Sequence, residues 1–134
     1  MTSTQNLGLL AARILLGAIF VMAGMGKLAD VQGFAGYMAS GGVPAIFAWP
    51  VVLFEILGGL ALIVGLQTRA TALALGAFSI LAALLYHFDP ADQGQMTHLL
   101  KNFAMAGGYI AVALTGAGQW SVDSLLGNRG PAVG

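Results

Sequence analysis

Four long apolar runs constrain this chain more than any other feature of its sequence. They cover roughly residues 7–28, 45–65, 70–87 and 98–116. Each approaches the length of about 20 residues with which a helix crosses the roughly 30 Å hydrocarbon core of a bilayer. Of the 134 residues only 7% are charged and 58% are hydrophobic, whereas soluble domains carry about 25% charged residues. We therefore expect lipid to be the solvent of this chain.

These runs predict an all-α fold, an integral membrane four-helix bundle that forms a single domain over residues 1–134. Between the first two runs, residues 29–43 carry apolar side chains at helical spacing and end in a pair of glycines. This pattern predicts a short amphipathic helix lying in the membrane interface. Only residues 67–69 separate the second run from the third, so these two spans must form an antiparallel hairpin.

The distribution of charge predicts the orientation of the bundle. Four spans place both termini on one side of the membrane, and Arg13, Arg69 and Arg129 lie on or nearest to that side. The opposite side carries Lys27, Lys101, Asp30, Asp89 and Asp92. The positive-inside rule therefore favours cytoplasmic termini. A cleaved signal peptide fits poorly, because no basic residue precedes the first run and Arg13 lies within it.

One face of the first helix carries a polar-ended stripe. At 100° per residue, Arg13, Gly17, Phe20, Gly24 and Lys27 fall within about 80° of one another. The two cations lie roughly 21 Å apart along the helix axis, so they mark opposite halves of the membrane. We expect Arg13 to be a separate, more cytoplasmic group that reaches the interface or meets a cytoplasmic partner. We assign Arg69 to the same structural or partner-contact class.

Glu55 is the deepest ionisable residue of the predicted spans. A charged side chain at the centre of a membrane helix costs roughly 2.5–3.5 kcal/mol on insertion scales, so Glu55 is the strongest indication of a functional site. An equally good interpretation is a structural carboxylate that pairs with a cation and holds two helices together.

Helix geometry suggests which groups surround Glu55. Helix rise places Lys101 and Asn102 on its outward side, and Lys27 lies farther out with its side chain tilted inward. Arg13 is near in depth but tilts away. We therefore predict a polar pocket that opens to the outer half of the membrane. Its members are Glu55, Lys27, Lys101 and Asn102, with His98 and His87 at the rim.

Composition and spacing exclude several kinds of chemistry. The chain has no cysteine, which removes disulfides, thiol redox catalysis and thiolate metal ligands. A net charge of zero argues against nucleic acid as a partner. His87 and His98 flank one loop, but no further cluster has metal-ligand spacing, so neither haem nor a metal is expected. No glycine-rich phosphate loop follows a strand, so this chain alone is not expected to hold flavin or nicotinamide.

An ordered pattern along nearly the whole chain carries a resemblance to a known family. It comprises Arg13-xxx-Gly17-xx-Phe20-xxx-Gly24-xx-Lys27, Phe34, Gly42, Pro44, Glu55-xx-Gly58-Gly59, Gly65-xx-Thr68-Arg69, Lys101-Asn102, Gly107-Gly108 and Gly116-Ala-Gly118-xx-Ser121-x-Asp123. In this order the set resembles the DoxX family of small bacterial membrane proteins. The resemblance implies a multi-pass four-helix bundle in the bacterial cytoplasmic (inner) membrane. It carries over no catalytic residue.

The resemblance also implies a redox setting, because the family takes its name from a thiosulfate:quinone oxidoreductase and its members are linked to oxidative-stress complexes. We expect a subunit of such a complex, catalytic or not, that anchors a soluble or membrane redox partner. It would offer quinone a lipid-accessible pocket, with Glu55 or a rim histidine handling protons. The alternatives are a non-enzymatic assembly or anchoring protein, a homo-oligomer included, and a small-solute binder or transporter. No inverted repeat indicates a transporter.

Overall fold

The computed structural model describes residues 1–127, which form six α-helices. These are α1 (Ser3–Leu28), α2 (Val31–Ser40), α3 (Ala48–Val64), α4 (Thr68–Tyr86), α5 (Gln93–Thr115) and α6 (Val122–Leu125). Within these residues α1, α4 and the segment Ala45–Val64, which adds a short 3-10 turn to α3, are long and apolar enough to cross a membrane. The 23 residues of α5 have the length to do so. The structure thus confirms the all-α membrane bundle, with α2 as the short helix between the first two spans.

Two helices begin earlier than the apolar runs predict, because polar residues cap them. The first helix starts at Ser3, where Thr2 and Gln5 form a capping box: each side chain bonds the backbone N–H of the other. The fourth span was predicted from residue 98, after a polar loop at 89–97. The loop in the structure is shorter than this prediction. Asp92 accepts a hydrogen bond from the Gln95 N–H at 3.2 Å and caps α5, which begins at residue 93.

The four long helices form two antiparallel pairs. Helix α1 packs along α3, and α4 packs along α5, more extensively than any other two elements of residues 1–127. Arg13 in the first half of α1 bonds the carbonyl of Ile63 at the end of α3. Arg69 at the start of α4 likewise bonds the carbonyl of Thr115 at the end of α5. In both pairs, therefore, the start of one helix meets the end of its partner.

Glycines bring α1 and α3 into backbone contact. A Cβ atom on Gly17 would lie 2.6 Å from the carbonyl oxygen of Gly59, and a Cβ on Gly59 would lie 2.6 Å from that of Gly17. About two turns farther along α1, a Cβ on Gly24 would lie 3.2 Å from the Cβ of Glu55. Small residues at such crossings let membrane helices approach closely. The glycines of the predicted stripe thus face α3.

An aromatic and aliphatic core joins the two helix pairs. Phe20 from α1 meets Phe78 from α4 edge to face at 5.7 Å between ring centroids, and its ring lies 5.9 Å from that of Tyr109 in α5. The Tyr109 hydroxyl donates to the backbone carbonyl of Leu16 at 2.7 Å. Because Tyr109 is fully buried, this hydrogen bond satisfies the one polar atom of its side chain.

The two ends of the described chain meet at one end of the bundle. The Asn6 amide group donates to the Gln119 side chain at 3.0 Å and accepts from the Gln119 N–H at 2.9 Å. The first turns of α1 and the segment after α5 therefore share one end, as four spans require. Arg129, on which the predicted orientation also depends, lies outside the described residues.

Candidate functional site

A cavity of about 320 Å³ lies at the other end of the bundle, between the two helix pairs and α2. This volume is at the lower end of the roughly 300–1,000 Å³ of small-molecule sites. Much of its wall is apolar, with Phe20, Phe34, Phe78 and Met105 among its residues. It is also lined by every predicted pocket residue except His98, namely Lys27, Glu55, Lys101, Asn102 and His87.

An ion pair joins α1 to α3 at the wall of this cavity. The Lys27 ammonium lies 3.0 Å from Oε1 and 2.8 Å from Oε2 of Glu55, so it donates to both carboxylate oxygens. The Glu55 side chain is only 5% exposed and that of Lys27 is 26% exposed. Lys27 also lies 4.9 Å from the ring centroid of Phe34 in α2, a cation–π distance. Glu55 therefore both holds two helices together and lines the cavity.

Two neighbouring residues of α5 face the cavity in different ways. The Asn102 amide donates to the backbone carbonyl of Ser79 in α4 at 3.2 Å, which fixes its position. Lys101 is exposed and, within residues 1–127, makes neither a hydrogen bond nor an ion pair. The structure thus places Lys101 in the same cavity as Glu55 but does not pair the two, because Lys27 occupies the carboxylate.

The rings of the two histidines pack against each other at a tilt beside the cavity. Their ring centroids are 5.3 Å apart, and Nδ1 of His87 lies 2.7 Å from Oε1 of Gln95. In the neutral tautomer that carries its proton on Nδ1, this nitrogen donates to the Gln95 side chain and Nε2 is an acceptor. His98 packs against His87 and does not line the cavity. Across residues 1–127, no group of three His, Cys, Asp or Glu side chains is placed to hold a metal ion.

A tyrosine that sequence reasoning left out of the site holds α2 at the cavity. The Tyr86 hydroxyl donates to the backbone carbonyl of Met38 at 2.9 Å, and its ring stacks on that of Tyr37 at 5.0 Å between centroids. All three residues line the cavity. The aromatic residues at the end of the third run were visible in the sequence, but their contact with the connecting helix was not.

Arg13, which the sequence assigns to a structural or partner-contact class, does not reach toward the interface. Its side chain is fully buried and donates to the backbone carbonyls of Ile63 at 3.0 Å and of Trp120 at 2.6 Å. It therefore points into the protein and not toward the interface. Gly65 ends α3 with φ of 77°, and the place where its Cβ would stand is occupied by the Arg13 guanidinium. The free carbonyls of a helix end and a loop explain this placement.

The remaining polar groups at that end cap helices. Arg69 donates to the carbonyls of Ala113 at 2.9 Å and Leu114 at 2.7 Å, at the end of α5. Asp123, which sequence reasoning did not assign to any site, is buried. Its carboxylate accepts from the backbone N–H groups of Gln67 at 2.8 Å and Thr68 at 2.9 Å. Asp123 thus caps α4 from the far end of the described chain.

Replacing Asp123 with alanine should lower the free energy of unfolding by about 1–3 kcal/mol, because two N–H donors at a partly buried helix start lose their acceptor. Asp123→Asn keeps one acceptor oxygen and should lose less. The measurement is the midpoint of unfolding when SDS is titrated into the detergent-solubilised protein. Asp92→Ala, which removes an exposed cap of α5, is the matched control, and an equal loss there would contradict the buried capping role.

A bundle of long apolar helices around a small, partly polar cavity defines a small integral membrane protein of the α-helical class. Within that class the chain belongs to the DoxX family, whose sequence profile matches residues 8–88. The matched part contains both members of the Lys27–Glu55 pair. Lys101 and Asn102 lie beyond it.

Individual relatives agree with this assignment. The chain is similar to inner membrane protein YqjF of Escherichia coli (strain K12), with 38% identity over 96% of this chain and 99% of the relative. It is 30% identical to inner membrane protein YphA of the same organism, over 86% of this chain and 87% of the relative. CatD of Bacillus subtilis (strain 168), named as a candidate oxidoreductase, shares 28% identity over 63% of each chain. Comparison with solved structures finds no significant match.

Proposed function

We propose that this protein is the membrane subunit of a quinone-linked oxidoreductase, in which the cavity binds a quinone ring and the bundle anchors a redox partner. The observation that carries the proposal is the combination of an aromatic wall with ammonium donors in one cavity. A quinone needs a flat apolar site for its ring and hydrogen-bond donors for its carbonyl oxygens. The name of the relative CatD supports a redox role.

The size of the cavity suits a ring of this kind. An engineered protein cavity of about 150 Å³ accepts benzene, and the present cavity has about 320 Å³. Phe20, Phe34 and Phe78 supply ring faces and edges on which an aromatic ligand packs favourably. A long isoprenoid tail would remain in the lipid, which is the ordinary location of a membrane quinone.

Reduction of a quinone to a quinol consumes two electrons and two protons. In this proposal His87 handles protons, since its Nε2 is free to accept one. Glu55 is the second candidate, although its carboxylate is engaged by Lys27. The chain has no cysteine, so no thiol pair stores electrons, and a soluble or membrane partner subunit would supply them. We place both termini in the cytoplasm, with the cavity in the outer half of the membrane.

The proposal predicts that the protein, purified in mild detergent, carries a quinone that organic extraction releases and ultraviolet absorption identifies. Ala82→Phe should fill the cavity and abolish this quinone, because Ala82 lines it. Ala77→Phe makes the same change at an exposed position of the same helix and should retain the quinone. The same preparations also show whether a partner subunit co-purifies with the protein.

Quinone retained equally by both variants would contradict the cavity as its site. A protein without quinone and without a partner would contradict the proposed function. A stable homo-oligomer in that preparation would favour an assembly or anchoring protein, whereas a different bound molecule would favour a solute binder.

A further inference from the structure

We propose that the ligand of the cavity is an aromatic ring that bears an ionised oxygen, and that Lys101 binds this oxygen. The inference rests on the proposed quinone site and narrows its ligand to an anion, such as an ionised quinol or a hydroxylated quinone. It assigns Lys101 as the residue that distinguishes this anion from a neutral ring of the same size.

The charges of the cavity wall carry the inference. Three charged residues line it, of which Lys27 and Lys101 are positive and Glu55 is negative. Lys27 engages both oxygens of Glu55, at 3.0 and 2.8 Å. In the described part of the chain Lys101 has no such partner, which leaves the wall with one uncompensated positive charge.

The Lys101 side chain is exposed, but it belongs to a helix of membrane-crossing length, where a cation without a counter-charge is costly. A ligand that brings its own anion removes this cost, because the anion and the ammonium form a charge-assisted hydrogen bond. A neutral ligand does not. The cavity should therefore select an anion over an isosteric neutral molecule.

The rest of the wall determines what kind of anion fits. Phe20, Phe34 and Phe78 present aromatic surface, which an inorganic anion would leave uncovered. Asn102, next to Lys101, donates its amide hydrogen to Ser79 at 3.2 Å, so its Oδ1 atom remains an acceptor for a ligand hydroxyl. An apolar ring with one ionised oxygen matches the aromatic wall and the lysine together.

Two naphthoquinones of nearly equal size test the proposal. 2-Hydroxy-1,4-naphthoquinone is ionised at neutral pH, and 2-methyl-1,4-naphthoquinone is neutral. The full chain is reconstituted in lipid nanodiscs, and binding of each compound is measured by equilibrium dialysis against empty nanodiscs. We expect the anion to bind at least about tenfold more tightly than the neutral ring, as one charge-assisted hydrogen bond provides.

Variants of Lys101 then identify the residue responsible. Lys101→Met should weaken binding of the anion by about tenfold or more and leave binding of the neutral ring nearly unchanged. Lys101→Arg keeps the positive charge and should keep the preference. Because the two compounds are compared on the same preparation, a loss of folded protein would weaken both and could not imitate this result.

The possible failures are distinguishable. If both compounds bind equally to the wild-type protein, the anion inference is wrong and the quinone site stands. If Lys101→Met retains the preference, Lys101 is not the binding residue and the inference is overturned. If neither compound binds, the proposed quinone site fails, and the inference fails with it.

Discussion

Replacing Glu55 with methionine is expected to lower the free energy of unfolding by about 2–4 kcal/mol, since breaking a buried ion pair leaves one charge uncompensated. This loss of stability is smaller than that of a fully buried pair, because the Lys27 side chain is 26% exposed while that of Glu55 is only 5% exposed. The Lys27 ammonium, which now donates to both carboxylate oxygens, would keep only the face of Phe34.

A double-variant cycle isolates the interaction of the pair. Lys27→Met/Glu55→Met replaces both charges with apolar side chains, which suit a membrane bundle, and should be more stable than Glu55→Met alone. SDS-induced unfolding of the two single variants and the double variant gives the coupling energy. Leu57→Met, at a lipid-facing position of α3, should change stability little. A coupling energy near zero would show that the ion pair does not hold α1 to α3.

The second large effect is expected at the crossing of α1 and α3. Gly17→Ala should destabilise the protein by about 1–3 kcal/mol, the usual cost of overpacking. The added Cβ would lie 2.6 Å from the carbonyl oxygen of Gly59, and a backbone atom cannot move aside without shifting its helix. Gly59→Ala should act in the same way, through its contact with the Gly17 carbonyl.

The same substitution elsewhere in α1 provides the control. A Cβ on Gly8 would have no atom within 4 Å, so Gly8→Ala should gain up to about 1 kcal/mol of helix propensity. The Gly17→Ala/Gly59→Ala double variant should cost less than the sum of the singles, because the first change already separates the helices. The midpoint of SDS-induced unfolding is measured for all four variants. Equal behaviour of Gly8→Ala and Gly17→Ala would contradict a tight crossing.

The fold was largely predictable because membrane solvent leaves few alternatives. An apolar run of sufficient length becomes a helix in lipid, since every backbone polar group must find its partner inside the segment. The ends of helices were less predictable. At residues 3 and 93 the helix begins at a side-chain cap, and hydropathy does not report capping.

The cavity was partly predictable for a geometric reason. Helix rise places Lys27 farther out than Glu55, and the tilt of side chains turns the Lys27 side chain inward, toward the same pocket. The structure pairs the two side chains directly. No such rule predicts the surroundings of Arg13, whose partners are the backbone carbonyls of Ile63 and Trp120. These acceptors are backbone carbonyls at a helix end and in a loop, and the residue types of the sequence do not indicate which carbonyls are free. The capping role of Asp123 could not be predicted for the same reason, because its partners are backbone N–H groups.

The hydrogen bonds of Arg13 have a consequence for how the protein is made. Its two acceptors lie 50 and 107 positions later in the chain. At roughly 5–20 residues per second, the ribosome reaches Trp120 about 5–20 s after Arg13. During that interval the Arg13 guanidinium lacks the Trp120 carbonyl as an acceptor, and for the first part of it the Ile63 carbonyl as well. We therefore expect the segment after α5 to dock onto Arg13 only once all four long helices have been synthesised.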